Sequence, residues 1–485
     1  MDIKVISRNV GMALLVSALF MLISMFVSWT NGMDSAFAPL AISFVITFTA
    51  GIFPFIFVRS TKNISKSDGF MIIVLSWVLS FIFGMLPYVL WGGEFTLINA
   101  WFESVSGYTT TGGTILTDIE ALPKGLLFWR SSTHFIGGLG VVVFMLFILP
   151  ASSSFRLKLA NMEISSLTKE GYTNLKSKKM VNVIVLVYIG LVAAETILLM
   201  LAGMSFFDAV NHSFSTIATG GFSTKNNSIA YFDSPVINII LIVFMLLSSL
   251  HFGVIYAMVS TRSFKPLNNP VSKFFLGTAA VIISLITVVL LTSGTYDNFG
   301  EALMAGAFQA TSVMTTTGFA TADNNTWPLV VCILMLYCSF QCGCSGSTNG
   351  GVKSDRLLIL LKGLYCQIQR SVHPNTVSMV RVGKHTVKDE AVLQVVMFIL
   401  FYIVILFVSS ILLLLIGVGP AEAFSGPITC MSNSGPGMGA IGTMGNYAML
   451  PTAAKFILTL NMAIGRVEIY PVIIAFMLLF RRNKD

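Results

Sequence analysis

Four short polar stretches that contain glycine lie at intervals along the chain, and each has residue types that suit binding of a dehydrated monovalent cation. They read YTTTGGT at 108–114, IATGGFS at 217–223, MTTTGFAT at 314–321 and MSNSGPG at 431–437. Glycine adopts positive φ angles freely, so the successive carbonyls of such a turn can point the same way. Rings of backbone carbonyls replace the hydration shell of potassium in ion filters. The turns therefore predict a cation filter built from main-chain oxygens.

The sequence around the turns also repeats, with a period of roughly a hundred residues. We take Gly112, Gly220, Gly318 and Gly435 as equivalent positions. A hydroxyl-bearing residue precedes each glycine and can add further oxygens. No acidic residue lies within the turns, which argues against a carboxylate-based site for divalent ions. The candidate filter residues are Thr110, Thr111, Gly112, Ala218, Thr219, Gly220, Thr316, Thr317, Gly318, Asn433, Ser434 and Gly435.

A short helix is expected before each turn. A polar residue followed by alanine, as at Asn99, Asp208, Glu301 and Glu422, suits the first turn of a helix, where free N–H groups and the positive dipole end need partners. Such helices span roughly 20 Å, too little for a hydrocarbon core about 30 Å thick. Each is predicted to enter the membrane and turn back, with its negative end favouring a cation. Non-helical backbone at that depth must line water or be buried in protein.

The composition indicates a protein that crosses a membrane many times. Hydrophobic residues make up 55%, charged residues 10%, and the mean hydropathy is +0.84, which excludes a soluble enzyme. The net charge of +8 is concentrated at the termini and in the loops 59–66, 156–179, 262–273 and 353–388. This is the positive-inside pattern, which places both termini in the cytoplasm and does not point to a nucleic-acid partner.

The apolar segments predict an all-α fold with ten transmembrane helices. A hairpin at about 9–29 and 36–58 comes first, and four units of outer span, half-helix and inner span follow. The inner spans are predicted at about 128–150, 234–260, 327–363 and 454–480. The corresponding outer spans lie at about 70–91, 180–203, 271–292 and 391–418. The predicted units are 1–62 for the hairpin and then 63–165, 166–262, 263–380 and 381–485 for the repeats.

The third inner span contains a glycine-rich interruption at 341–351, QCGCSGSTNGG, with apolar sequence on both sides. Four glycines and several small polar residues do not hold a regular helix in lipid, so we expect the helix to break and to face a cavity. A glycine-rich helix crossing or the natural end of the span is the alternative. Cys342 and Cys344 are interpreted as packing thiols, because no histidine or acid lies beside them in the sequence.

The turns TTTGGT, ATGGFST, TTTGFATAD and SNSGPGMGAIG, together with CGCSGSTNGGVK and AIGRVEIYPV, resemble the Trk/Ktr/HKT superfamily of potassium translocators, and specifically its TrkH/TrkG branch. The resemblance covers essentially the whole chain. It implies four non-identical units around one pseudo-fourfold pore. It also implies a homodimer in the bacterial cytoplasmic membrane, and a cytosolic TrkA-type regulatory subunit that alone binds nucleotides (ATP, ADP or NAD). No covalent cofactor is expected; K⁺ is the transported ion.

By this resemblance the four glycines are filter residues, and glycine in all four turns implies a preference for potassium over sodium. The interruption corresponds to an intramembrane gating loop, with Gly343, Gly346, Asn349, Gly350 and Gly351 as candidate gate residues. The family also places Arg466 below the filter, near this loop, where it would repel a waiting cation. An unpaired arginine inside a span costs about 3 kcal/mol on insertion scales. The alternative is a structural pair with Glu468 or with a helix-end carbonyl.

Three other kinds of polar residue in apolar segments have simpler interpretations. Arg130 begins the first inner span and is interpreted as an interfacial anchor. Glu195, in the middle of a span, is interpreted as a hydrogen-bonded packing acid, with proton coupling as the alternative. The histidines 134, 212 and 251 have no second ligand at metal spacing and are expected to make ordinary polar contacts.

Two other functions are compatible with parts of the sequence. A proton- or sodium-coupled secondary transporter also has broken helices, but it usually has two repeats and one pair of such helices. Gly343 to Gly346 match the G-x-S-G of intramembrane serine proteases. A nucleophilic serine needs a base within hydrogen-bond reach, and the histidines after Ser345 lie in a charged loop. We therefore predict that the protein is not an enzyme.

Overall fold

The structure, a computed structural model, describes residues 2–58, 65–147, 177–375, 378–383 and 385–481, and it is helical over most of this length. In the first half of the chain the helices are α1 (Ile3–Thr30), α2 (Phe37–Phe57), α3 (Lys66–Gly84), α4 (Leu86–Trp91), α5 (Leu97–Tyr108), α6 (Lys124–Phe147), α7 (Ser177–Leu201), α8 (Phe206–Ala218), α9 (Pro235–Ser248) and α10 (Phe252–Thr261). In the second half they are α11 (Pro270–Thr292), α12 (Phe299–Met314), α13 (Leu329–Phe340), α14 (Ser354–Val372), α15 (Asp389–Leu415), α16 (Pro420–Ser432), α17 (Thr452–Val467) and α18 (Ile469–Arg481).

Membrane-spanning helices dominate the described residues. Six of these helical segments are long and apolar enough to cross a membrane, and two bent helix pairs raise that number to eight. Helix α6 is described as far as Phe147. The predicted end of the first inner span at 148–150 lies outside the described residues, as do the loop 59–64 and most of the basic loop 156–179. The chain is a multi-pass membrane protein; the number of ten crossings and the unit boundaries stay predictions.

A short helix precedes each of the four turns. These half-helices are α5, α8, α12 and α16, with 12, 13, 16 and 13 residues. They begin slightly earlier than the polar-alanine pairs predicted. Thr96, Ser205 and Asn298 cap three of them through their side chains, whereas Gly419 precedes the fourth without a side-chain cap. The predicted acids lie within the first turns of α8, α12 and α16, where they suit the helix dipole.

The third inner span is interrupted, as the glycine-rich sequence predicts. Helix α13 ends at Phe340, and α14 starts only at Ser354. Between them, β1 (Gln341–Cys342) pairs in parallel with β2 (Val352–Lys353), so residues 343–351 form a closed loop. A second strand pair, β3 (Arg381–Val382) and β4 (His385–Thr386), is antiparallel and precedes α15.

Two inner spans that the sequence predicts as single helices are bent sharply. Helices α9 and α10 meet at 107° around Ser249–His251, and α17 and α18 meet at 103°. The spans predicted at about 234–260 and 454–480 therefore each consist of two helices instead of one. At the second bend Glu468 has φ of 70°, a conformation that a residue with a side chain adopts only at a cost.

Candidate functional site

The four turns share one backbone conformation. A left-handed residue with a side chain occurs at the start of each: Thr110 (φ 54°), Thr219 (57°), Thr316 (52°) and Asn433 (60°). Two residues later a glycine has φ between 78° and 83°. A left-handed residue with a side chain costs of order 1–3 kcal/mol, and such strain clusters at functional sites. Its fourfold recurrence marks these turns as the candidate site.

The residue between the two left-handed positions establishes which residues are equivalent. Its amide donates to the carbonyl five residues earlier in every turn: Thr111 to Ser106, Gly220 to Ser215, Thr317 to Ser312 and Ser434 to Thr429, at 2.8–2.9 Å. The glycine that matches Gly112, Gly318 and Gly435 is therefore Gly221. The equivalence assigned to Gly220 was wrong by one residue, because Thr-Gly-Gly permits two alignments, and the backbone angles together with these hydrogen bonds separate them.

The four turns meet in a closed ring. A Cβ atom added to Gly112 would overlap the carbonyl oxygen of Gly220 in the second turn, and one added to Gly221 would overlap that of Thr317 in the third. A Cβ on Gly318 would lie 2.5 Å from the carbonyl oxygen of Ser434, and one on Gly435 2.5 Å from that of Thr111. Each turn thus packs its glycine against the next turn's backbone, and the fourth returns to the first. Only glycine fits at these positions.

A cavity of about 230 Å³ opens on one side of this ring, and we call it the vestibule. Its wall contains the four left-handed glycines together with residues of the loops that follow the turns. These wall residues include Gly112, Gly221, Gly318, Gly435, Arg130, Asn226 and Tyr447. The vestibule lies on the side of the post-turn loops, and a volume of this size holds several waters. It can bring a hydrated ion to the ring.

The second turn replaces a hydroxyl with a histidine. In the other turns the residue before the glycine bonds a neighbouring hydroxyl, as in Thr109–Thr111 and Thr315–Thr317 at 2.8 Å. Gly220 lacks that hydroxyl, and the His134 ring occupies the space beside it. His134 contacts the Ser215 hydroxyl through Nδ1 at 3.2 Å and stacks on Phe222. The expectation of a polar contact for His134 holds at Nδ1.

Arg130 is not an interfacial anchor. It is 1% exposed, and its Nε lies 2.8 Å from an oxygen of the fully buried Glu103. The guanidinium stacks over Phe222 at 4.1 Å and donates to the Ser223 carbonyl. Glu103 also accepts the amide of Ile115. This ion pair joins the segment after the first turn to the segment after the second. Its acidic partner lies 27 residues away, so spacing along the sequence gave no sign of it.

The remaining neighbouring turns are tied by other contacts. Asn324 follows the third turn. Its backbone N–H donates to the Thr443 hydroxyl, and its side-chain oxygen accepts from the Thr443 backbone N–H, both at 3.0 Å. The side-chain NH₂ of Asn324 donates to the Gly437 carbonyl. The second and third turns are joined through the Ala320 carbonyl, which accepts from Ile229 and Ala230. The ring is thus braced by a different set of contacts at each junction, so its fourfold symmetry is approximate.

The glycine-rich loop 343–351 packs against the opposite face of the ring. The Thr348 hydroxyl donates to the Ile217 carbonyl at 2.9 Å, and the Asn349 amide contacts the Thr316 hydroxyl at 3.3 Å. Gly350 lies against Ser432 and Asn433. The loop therefore contacts three of the four half-helix ends, and its residues 343–345 and 347–351 are buried.

The other two predicted loop glycines, Gly343 and Gly346, pack against residues 249–251 instead of the half-helix ends. Gly343 packs against the Ser249 carbonyl, and Gly346, with φ of 77°, packs against the His251 ring. The backbone there is also bonded, because the Cys344 amide donates to Ser249 and the Phe252 amide donates to Gly346. These contacts connect the loop to the bend between α9 and α10. Since the sequence gave no sign of that bend, this half of the loop's surroundings was not predicted.

Arg466 lies beneath the ring and binds the loop. Its guanidinium donates to the Thr348 carbonyl at 2.5 Å and to the Gly137 carbonyl of α6 at 3.2 Å. It is 3% exposed. The alternative of a pair with Glu468 is wrong, because Glu468 binds Arg356 of α14 at 2.8 Å. The two arginines thus connect the interrupted third inner span to the first and fourth inner spans.

Two further polar residues singled out from the sequence, His212 and Glu195, are buried. His212 makes contacts through both ring nitrogens, to the Asp208 carbonyl and the Ser223 hydroxyl. Glu195 is fully buried, and the Thr216 side chain is its polar neighbour, so its interpretation as a packing acid stays a prediction. All six cysteines are free, and no cluster of three metal-ligating side chains occurs in the described part of the chain.

Ser345 does not form a catalytic pair with a histidine. Its hydroxyl donates to the Asp355 carboxylate at 2.6 Å, and the carboxylate also accepts the Ser345 amide. His251 and Ser345 line one small cavity. His251 precedes Ser345 in the sequence, whereas the prediction considered only the histidines that follow it. That cavity is only about 10 Å³, room for about one water and too small for a peptide. The hydroxyl instead anchors the loop to the start of α14.

Comparison with known proteins agrees with this architecture. A family model described as TrkH, a cation transport protein, matches residues 39–484. The chain belongs to the TrkH family. It is 35% identical over 427 residues to the Trk system potassium uptake protein TrkH of Salmonella typhimurium, with 88% of each chain covered. It is 33% identical to TrkH of Escherichia coli K12 over the full length of both chains, and 34% identical to TrkG of the same organism over 99% of both.

The fold of this TrkH family member is also found in a solved structure. The crystal structure of the potassium transporter TrkH from Vibrio parahaemolyticus superimposes with a TM-score of 0.88, at 32% identity and over 98% of both chains. The resemblance to the TrkH/TrkG branch that the motifs indicated is therefore confirmed.

Proposed function

We propose that this protein takes up potassium ions across the cytoplasmic membrane of a bacterium, and that the ring of four turns is its selectivity filter. The closed ring of glycines and neighbouring carbonyls carries this proposal, because it brings four sets of main-chain oxygens to one place. Relatives over the full length are named Trk system potassium uptake proteins, which supports the same ion. K⁺ is the cargo, and the protein itself performs no covalent chemistry.

The proposed filter residues follow the structural register. They are Thr110, Thr111, Gly112, Thr219, Gly220, Gly221, Thr316, Thr317, Gly318, Asn433, Ser434 and Gly435, with Ala218 preceding the second turn. The carbonyl ends of four half-helices face this ring and favour a cation without a fixed charge. The positive φ at eight of these residues supports carbonyls that turn in the same direction, as a dehydrated ion requires.

The loop 343–351 and Arg466 form the proposed gate. The loop packs against three half-helix ends on the face opposite the vestibule, and Arg466 fastens it to α6. A guanidinium at this depth opposes a cation that has passed the ring. Opening then requires the loop to leave the half-helix ends and the arginine to release the Thr348 carbonyl.

The family context also supplies the proposed assembly. We infer a homodimer with both termini in the cytoplasm, regulated by a cytosolic TrkA-type subunit that binds ATP, ADP or NAD. The basic residues around 353–388 support a cytoplasmic location for β3, β4 and the end of α14. The chain's own contribution to regulation is the connection between α14, whose Arg356 binds Glu468, and the gate loop.

The decisive experiment measures K⁺ and Na⁺ flux in proteoliposomes, with and without a pH gradient. We expect K⁺ flux that exceeds Na⁺ flux and does not require the pH gradient. Flux that depends strictly on a proton or sodium gradient would favour a secondary transporter. Gly112→Ser is expected to lower the ratio of K⁺ to Na⁺ flux, because the added side chain would overlap the Gly220 carbonyl. A wild-type ratio in this variant would contradict the filter assignment.

A further inference from the structure

The fourth turn lacks a contact that the first three share. In those turns the serine six residues before the left-handed glycine donates its hydroxyl to the carbonyl of the residue after that glycine. The pairs are Ser106 to Gly113 at 2.6 Å, Ser215 to Phe222 at 2.8 Å and Ser312 to Phe319 at 2.6 Å. This bond fixes the exit of each turn against its own half-helix.

The equivalent residue of the fourth turn, Thr429, makes a different bond. Its hydroxyl donates back to the Ser425 and Gly426 carbonyls of α16, at 3.1 and 3.2 Å. The residue after the glycine is Pro436, whose fixed φ changes the path of the chain. The fourth turn therefore needs another group to hold its exit.

Tyr447 supplies that group from the loop after the turn. Its hydroxyl donates to the carbonyl of Gly435 itself at 2.6 Å. Among the described residues, no hydrogen bond is donated to the carbonyls of the equivalent Gly112, Gly221 and Gly318. The outermost carbonyl of the fourth turn is therefore oriented and polarised by a phenol, whereas its three counterparts are not.

The tyrosine is itself held firmly. It is 2% exposed, its amide donates to the Thr114 carbonyl at 2.8 Å, and its ring packs on Phe102 at 5.1 Å. The ring also covers Gly113, where a Cβ would lie 2.8 Å from it. Tyr447 thus bridges the fourth turn and the first repeat, at the wall of the vestibule.

We propose that Tyr447 is a specificity-determining residue that positions the Gly435 carbonyl for a dehydrated K⁺ ion. This inference rests on the proposed filter function and adds a side chain outside the four turns to it. The phenol holds the fourth carbonyl at a distance that suits K⁺. Without the hydroxyl, that carbonyl is free to move toward a smaller ion, so discrimination against Na⁺ falls while the pathway stays open.

The test compares Tyr447→Phe with wild type in proteoliposomes, measuring K⁺ and Na⁺ flux separately. Loss of one net hydrogen bond corresponds to about a fivefold change, so we expect the K⁺ to Na⁺ flux ratio to fall about fivefold. K⁺ flux alone should stay within about twofold, since the ring and its packing are kept. Ser312→Ala, which removes the corresponding tie in the third turn, should lower the ratio similarly.

Tyr402→Phe is the matched control. Tyr402 is 1% exposed in α15, and among the described residues its hydroxyl has no hydrogen-bond partner, so its removal should leave the ratio unchanged. The unfolding temperature of each variant in detergent, with K⁺ or with Na⁺, gives a second readout that needs no transport. Preferential stabilisation by K⁺ should weaken in Tyr447→Phe but not in Tyr402→Phe.

Two results separate the failure of this inference from failure of the proposed function. If wild type carries K⁺ selectively and Tyr447→Phe keeps the wild-type ratio and the wild-type stabilisation by K⁺, the role of Tyr447 is refuted. If wild type carries no K⁺ at all, the filter proposal fails first. A variant that loses stability equally in K⁺ and Na⁺, with an unchanged ratio, would show that the tyrosine is only structural.

Discussion

Alanine at Gly221 should damage the filter far more than alanine at the adjacent Gly220. Gly221 has φ of 83°, and forcing a side-chain-bearing residue into the left-handed region costs about 1–2 kcal/mol. The added Cβ would also overlap the backbone carbonyl of Thr317, which cannot move without displacing the third turn. Overpacking of this kind costs about 1–3 kcal/mol more. The two costs together destabilise the ring conformation by about 2–5 kcal/mol.

Gly220 has no positive φ, and its added Cβ would meet the His134 side chain rather than backbone. Its substitution therefore carries only the overpacking cost of about 1–3 kcal/mol. The double variant Gly220→Ala/His134→Ala removes the obstructing ring and should recover most of the lost function. No second substitution of this kind is available for Gly221, because its obstacle is the main chain.

The assay is the ratio of K⁺ to Na⁺ flux in proteoliposomes, with the unfolding temperature of each variant measured in detergent. We expect Gly221→Ala to lose selective K⁺ flux, Gly220→Ala to keep part of it, and the double variant to approach wild type. The opposite order, with Gly220→Ala inactive and Gly221→Ala selective, would refute the register that the backbone angles define.

Three further predictions concern the surroundings of the ring. Glu103→Gln leaves Arg130 buried without its counter-ion and should destabilise the protein by about 3–5 kcal/mol in denaturant unfolding, whereas Glu103→Leu/Arg130→Met should restore most of it. Arg466→Ala should raise K⁺ flux at a fixed gradient by about tenfold or more, since charged hydrogen bonds contribute about 1.5–3 kcal/mol each; unchanged flux would place it off the pathway. The hydrogen bond from Asn226 lowers the pKa of Asp118, so this loop contact stabilises above the ordinary aspartate pKa of about 4 and is lost as pH falls through the lowered value. Thermal unfolding should show Asp118→Asn less stable than wild type at pH 6, with a gap that narrows as the pH falls below about 4, and a gap independent of pH would exclude this titration.

Much of the architecture follows from local sequence. The apolar segments, the half-helices and the interrupted third inner span are properties of short stretches, so hydropathy and glycine content identify them. Glycine also marks the turns, because few other residues reach these backbone angles. In the second turn, however, Thr219-Gly220-Gly221 offers two candidate glycines, and the φ angles and hydrogen bonds of the folded turn decide between them.

Contacts between elements that are distant along the chain could not be predicted from the sequence. Arg130 resembled an anchor because its partner Glu103 lies on another helix, and Arg466 seemed close to Glu468 only along the chain. The residues at the bend, Ser249–His251, include no glycine or proline, and backbone hydrogen bonds to the loop 343–351 hold the bend. Tyr447 had no motif, since its role depends on the fourth turn lacking a bond that the other three make.

Coordination of a dehydrated monovalent cation by the main-chain oxygens of the four turns is the proposal on which the others depend. It is tested most directly by locating Rb⁺ or Tl⁺, which substitute for K⁺, by anomalous diffraction from crystals of the protein. We expect peaks on the axis of the ring, among the carbonyls of the turns that contain Gly112, Gly221, Gly318 and Gly435. Added K⁺ should compete with the heavier ion and weaken these peaks, whereas the same concentration of Na⁺ should weaken them much less. Ions found only outside the ring, or a ring that stays empty while the protein carries K⁺, would contradict it.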